Sequence, residues 1–148
     1  MSVHCPPAMR QLLLKLNLFR GLDDMELMLL LEEAEMVEFA AGETPIVEGE
    51  QGRFMFIILS GRLRIAKRSF GIQKVIGELG PGECFGEMSL IEARSRSASV
   101  KALSACKLLR IDDENMARVP AIAAILYRNI AALLSQRLRH ANEILTLG

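Results

Sequence analysis

The segment GECFGEMSLIEARSRSASV, Gly82 to Val100, concentrates charged and conformationally special residues in a chain that is 51% hydrophobic. A glycine precedes an acid at Gly86–Glu87, and nine residues later Arg96 stands between Ser95 and Ser97. A turn of helix opening at Gly86 and running through Met88 and Ser89 would present backbone N–H groups to an anion. The glycine would let that ligand come close. Arg96 offers a planar fork that can make two parallel charge-assisted hydrogen bonds to a phosphate. Ser97 and Ser99 add hydroxyls, and Ala98 is small enough for its N–H to reach the same oxygens. Glu87 repels a phosphate, so it must face a donor such as a sugar hydroxyl. Cation and acid side by side describe a site for a sugar phosphate or nucleotide. The competing account is a solvated loop in which Glu87 pairs with Arg94 or Arg96. Spacing alone leaves both open.

The elements that must position these residues follow from periodicity. From Pro7 to about Met36 the pattern is helical, broken at Gly21 and restarted with Asp23 and Glu26 at capping-box spacing. Short strands with glycine turns follow: VEF, TPIV, FMFIILS joined through Ser60–Gly61 to RLRIAK, short strands within SFGIQKVIGELGPGE, then ASVKA and CKLLRI. FMFIILS is almost wholly apolar and reads as buried on both faces; its neighbour alternates, with Leu63 and Ile65 inward and Arg62 and Arg64 outward. Asp112 or Asp113 caps a short helix, and a long one runs from Pro120 nearly to Leu145. The expected fold is α+β: an antiparallel β jelly-roll barrel flanked by N-terminal helices and a long C-terminal helix. One domain is expected over 1–148, with helices in 1–36, the β-roll in 37–111 and C-terminal helices in 112–148.

Composition excludes several classes. Eighteen basic and eighteen acidic residues cancel, so no global field favours nucleic acid. No apolar run is long enough to span a bilayer, and the start has no signal-peptide core, so a cytoplasmic protein without membrane contact is expected. Three cysteines, Cys5, Cys84 and Cys106, form no disulfide framework. The two histidines, His4 and His140, lie outside the strands, which argues against a metal site or a nucleophile–histidine pair. No metal, no cofactor and no enzymatic activity are expected.

LGPGECFGEMSLIEARSRSASVKA resembles the phosphate-binding cassette of the cyclic-nucleotide-binding domain family. That family includes the bacterial catabolite activator, the regulatory subunits of protein kinase A and cyclic-nucleotide-gated channels. The resemblance extends to the helical lead-in and to FMFIILSGRLRIAK, and covers the whole chain. It implies that Glu87 accepts the ribose 2′-hydroxyl with the Gly86 N–H nearby, that Arg96 pairs with the cyclic phosphate, and that Ser97 and Ala98 complete the cradle. Phe85 would pack inside the barrel. Ser95 stands where many members have proline, and Met116 where an aromatic is common; neither removes a ligand contact. Ser97 permits cGMP, but serine there also serves cAMP binders, and cAMP is favoured.

Along the final helix Tyr127, Ala131, Leu134, Leu138, Ala141 and Leu145 recur at spacings of four and three, an a/d seam fit for a second copy. The adjacent stripe of Leu126, Ile130, Leu133 and Ile144 can cover the domain's own barrel; one wide face buried within a single chain is the alternative. As in the catabolite-activator branch, the resemblance implies a homodimer through this helix. It puts the base-reaching positions near Ala141 and Asn142, with Arg137, Arg139 and His140 as further candidates. No output module follows Leu145 in the sequence, so the expected role is a sensor whose ligand shifts the C-terminal helices and the surface offered to a protein partner. Two alternatives stand: a docking scaffold with a vestigial cassette, and the sensor half of a longer transcription regulator.

Overall fold

The computed structural model describes residues 6–91 and 95–147, and of these all side chains but those at 89, 91, 146 and 147. The chain begins with α1 (Pro7–Leu14), a 3-10 turn (Asn17–Phe19) and α2 (Asp24–Glu32). The predicted capping box is present: Asp23 Oδ1 accepts the Glu26 N–H at 2.8 Å, and Glu26 Oε1 accepts the Asp23 N–H at 3.1 Å. Strands follow as β1 (Glu35–Phe39), β2 (Phe54–Ser60), β3 (Leu63–Ser69), β4 (Ile72–Leu79) and β5 (Cys84–Phe85). The one-turn α3 (Met88–Ile91), β6 (Ser99–Ala102) and β7 (Cys106–Asp112) come next, and α4 (Asp113–Ala117) and α5 (Pro120–Leu147) close the chain.

The strands form two antiparallel sheets, one in the order β1-β7-β2-β5 and one in the order β4-β3-β6. Strands β2 and β7 are buried on both faces. Met55, Ile57, Leu109 and Ile111 point into a core shared with α1, α2, α4 and α5, whereas Phe56, Ile58, Cys106 and Leu108 point into a second core between the sheets. Two-sided burial is why FMFIILS reads as a continuous apolar run. β3 is one-sided, with Leu63 fully buried and Arg64 exposed.

Two strand expectations change. TPIV forms no strand; Ile46 alone makes an isolated bridge to Val100. Pro45 has no N–H to give a ladder, and the glycines on either side, Gly42 and Gly49, turn the chain with φ of +93° and +87°. The segment after Ser69 is a single eight-residue strand rather than several short ones, because a register shift opposite Ile65/Ala66 absorbs Ile76 without breaking the ladder.

Asp112 caps α4, its N–H held by Asn115 Oδ1 at 3.1 Å. The first half of α5 buries Ile122, Ala123, Leu126 and Ile130 against the helical core. Asn129 ties it to the 3-10 turn, Nδ2 donating to the carbonyls of Leu18 (2.7 Å) and Arg20 (2.8 Å). Tyr127, Leu133 and Leu134 are half-buried against the same core, whereas Ala131, Leu138, Ala141, Ile144 and Leu145 are exposed.

Candidate functional site

Gly86 leaves β5 with φ +78°, a left-handed conformation that directs the chain into α3. A Cβ there would stand 2.9 Å from both Arg96 Nη1 and Ile46 Cδ1, so the glycine is also needed for space. The Leu90 N–H reaches the Glu87 carbonyl at 3.2 Å and closes the turn.

Arg96 is 8% exposed and Glu87 5%, the two buried charged residues of the described chain. Glu87 and Arg96 are thus withdrawn from solvent, whereas the flanking Ser95 and Ser97 are exposed. The Arg96 fork is held on its protein side, Nη2 donating to the Phe54 carbonyl at 2.8 Å and Nη1 to the Gly86 carbonyl at 3.2 Å. Its main chain is held too: the Arg96 N–H donates to the Glu50 carbonyl at 2.8 Å, and the Arg96 carbonyl accepts the Gly49 N–H at 2.9 Å. Burial pulls the Arg96 guanidinium below its ordinary pKa, and the negative charge of Glu87 acts in the opposite direction. A guanidinium so placed stays protonated and attracts an anion more strongly than one in water.

Glu87 is met from another element. Arg137, on the second half of α5 and half-exposed, donates through Nη1 to Glu87 Oε1 at 2.5 Å. Beside them the Cys84 thiol is pushed up to about 12, first by burial and then by the Glu87 carboxylate.

These groups line one cavity of about 590 Å³. Glu83, Glu87, Arg96 and Arg137 are its charged lining residues, and Gly86, Ser97 and Ala98 line it too. Ile46, Ile65, Leu79 and Val100 form an apolar wall. The volume suits a mononucleotide-sized ligand, and the wall suits a flat heterocycle.

Of the ligand-site residues anticipated from sequence, Gly86, Glu87, Met88, Arg96, Ser97 and Ala98 all line this cavity, and the Ser89 side chain lies outside the described residues. Ser99 is engaged elsewhere, its Oγ accepting the Glu48 N–H at 2.8 Å across the roll. Phe85 is buried between the sheets, its ring 5.1 Å from that of Phe56, yet it also touches the cavity wall. Of the five base candidates, Arg137 lines the cavity, and Arg139, His140, Ala141 and Asn142 do not. The sequence carries no sign that Glu87 and Arg137 pair. Fifty residues separate them, and only the passage of α5 over the cavity brings them together. Nor does it signal Phe54, whose ring lies under Arg96 at 4.8 Å. Among the described residues no cluster of His, Cys, Asp or Glu could hold a metal ion, and no helix is long and apolar enough to cross a membrane.

The pattern of the cyclic nucleotide-binding domain matches residues 36–121. A cyclic AMP receptor protein of Thermus thermophilus is 36% identical over 135 residues, covering 88% of this chain and 61% of that protein. A CRP-like cAMP-activated global transcriptional regulator of Mycobacterium tuberculosis is 26% identical, covering 91% of this chain and 61% of the regulator. The chain therefore spans about 61% of the length of these relatives. Among solved structures, the Thermus thermophilus catabolite activator protein superposes with a TM-score of 0.80 at 33% identity, over 88% of this chain and 62% of that one. The regulatory domain of Toxoplasma gondii protein kinase A, crystallised with cAMP, gives 0.68 at 29% identity, over 74% of this chain and 42% of that one. The relatives are named as receptors, regulators and regulatory subunits rather than catalysts. With an acid and an arginine buried on one nucleotide-sized cavity and the domain pattern matched across the β-roll, the chain belongs to the cyclic nucleotide-binding domain family.

Proposed function

We propose that this chain is a cyclic-nucleotide sensor that binds cAMP in preference to cGMP in the Glu87–Arg96 cavity and has no catalytic activity of its own. The observation that carries this reading is the pair of buried opposite charges facing one cavity, with Arg137 tying the acid to α5. Arg96 takes the cyclic phosphate on its fork, Gly86 and Ala98 add backbone N–H groups, and Ser97 adds a hydroxyl. Glu87 accepts the ribose 2′-hydroxyl, and the base lies against the apolar wall with α5 above it. The naming of Thermus thermophilus and Mycobacterium tuberculosis relatives for cAMP, and the cAMP-bound kinase regulatory domain, support the choice of nucleotide.

The coupling runs through Arg137. A ribose at Glu87 enters the hydrogen-bonding shell that Arg137 occupies, so ligand binding and the placement of the second half of α5 are linked by one carboxylate. That half of the helix exposes Leu138, Ile144 and Leu145, at 63%, 57% and 78%. An apolar stripe of this kind supports a homodimer through α5, whose geometry the nucleotide sets. The output is then delivered to a protein partner or to the remainder of a longer regulator. The buried free thiols of Cys84 and Cys106 fit a reducing cytoplasm.

The deciding experiment is calorimetric titration of nucleotide-stripped protein with cAMP and then cGMP. Micromolar or tighter binding with the lower Kd for cAMP is expected. Absence of heat with either, at two temperatures on folded protein, would leave a docking scaffold with a vestigial cassette.

A further inference from the structure

Phe54 begins β2 and meets the fork of the cavity-lining Arg96 twice. Its carbonyl accepts from Nη2 at 2.8 Å, and its ring centroid lies 4.8 Å from Arg96 Cζ. Any residue at position 54 would supply the carbonyl; only an aromatic supplies the ring face. The ring is itself braced. Arg110 Cζ stands 4.3 Å from its centroid, with Arg110 Nε held by Asp112 Oδ1 at 3.0 Å, and the Phe56 ring meets it edge-on at 5.4 Å. Gly52 leaves the room this stack requires. A Cβ there would stand 2.9 Å from Arg96 Nη2 and 2.9 Å from Phe54 Cε1. Since Gly52 is not among the glycines with positive φ, its missing side chain serves space rather than backbone freedom.

We propose that Phe54 is a positioning residue for the nucleotide's phosphate: its ring face fixes the plane of the Arg96 guanidinium at the cavity wall, and Gly52 keeps that stack possible. The proposal rests on the assignment of Arg96 to the phosphate. Two parallel hydrogen bonds to a phosphate require a fixed guanidinium plane, and a long side chain ordered beforehand loses less entropy when the ligand arrives. Stacking between a partly desolvated guanidinium and an aromatic face corresponds to roughly twofold to thirtyfold in affinity.

The test compares Phe54→Leu, which keeps apolar bulk and the carbonyl, with Phe54→Tyr, which keeps the ring face. Two readouts are taken well below the unfolding temperature of each variant. The first is cAMP affinity by calorimetry. The second is the Arg96 Nε–Hε resonance of nucleotide-stripped protein, assigned with Arg96→Lys, which the ring displaces by its current. Phe54→Leu should weaken cAMP about tenfold and move the resonance towards its solvated position. Phe54→Tyr should stay within about twofold of the parent and keep the resonance in place, and Gly52→Ala should weaken binding while leaving the fold intact. Equal affinity of parent and Phe54→Leu, or a tyrosine variant as weak as the leucine one, overturns the proposal. If the parent itself binds no cyclic nucleotide, the functional assignment fails on its own. The resonance then decides whether the ring holds the fork: an unmoved signal in Phe54→Leu refutes it.

Discussion

The Arg96 guanidinium is oriented by two carbonyls and a ring before it meets a ligand. Lysine would bring the same charge as a single point with no fork, so Arg96→Lys should weaken cAMP by about thirtyfold or more by calorimetry. Arg96→Ala, which leaves the ligand's charge facing an apolar wall, should cost about 2–5 kcal/mol. Both acid and arginine could be picked out in the sequence, because Gly86–Glu87 and Arg96 are close in the chain and their chemistry is local. What could not be read there was their company: Arg137 and Phe54 come to the site from elements 50 and 42 residues away from Glu87 and Arg96. Cys84 offers a second test at this scale. Burial, helped by the Glu87 charge, holds its thiol at about 12 against an ordinary value of 9.0. The folded state therefore keeps a proton that the unfolded chain releases, so stability is untouched by this group below pH 9 and falls between pH 9 and 12. At pH 8 a thiol reagent should leave Cys84 unlabelled in the native protein and label it once urea unfolds the chain.

At the scale of elements, α5 performs two tasks along one length. Its first half is anchored by Leu126, Ile130 and the Asn129 bonds to the 3-10 turn, and its second half is joined to the cavity through Arg137. Arg137→Gln removes that tether and leaves the Glu87 carboxylate buried without this cation. Amide exchange around residues 134–141 should then accelerate about threefold to tenfold, with residues 122–130 unchanged. Equal protection throughout would mean that the tether does not hold the helix. The length and start of α5 were legible from Pro120 and the leucine spacing, but the division of its faces was only partly so. Tyr127 and Leu134, assigned by spacing to an intermolecular seam, are half-buried against their own domain, since a 3.6-residue period does not tell one apolar neighbour from another. TPIV forms no strand for a reason of its own: β-branched residues between turns favour extension, but pairing depends on what lies alongside, and Pro45 lies among them.

For the whole molecule, the helical layer and the sheet sandwich are joined by β2 and β7, each sending alternate side chains into both cores. The apolar residues left outside this arrangement include Leu138, Ile144 and Leu145 on the end of α5, Phe70 and Ile72 on the β3–β4 hairpin, and Leu12, Met25 and Leu29 on α1 and α2. If α5 carries the dimer, Leu138→Glu should yield a monomer by light scattering with unchanged far-ultraviolet circular dichroism; a persistent dimer would move the interface to another surface. The sheet order β1-β7-β2-β5 also governs how the chain emerges during synthesis. The strand that separates β1 from β2 is the last one made, so residues 35–39 and 54–60 must wait without their shared neighbour until residue 112 has been added. Such late, long-range closure slows folding and leaves apolar edges open while translation proceeds. A ribosome stalled before Cys106 would therefore hold a chain that cannot yet form its central sheet, however complete the segment carrying Glu87 and Arg96 already is.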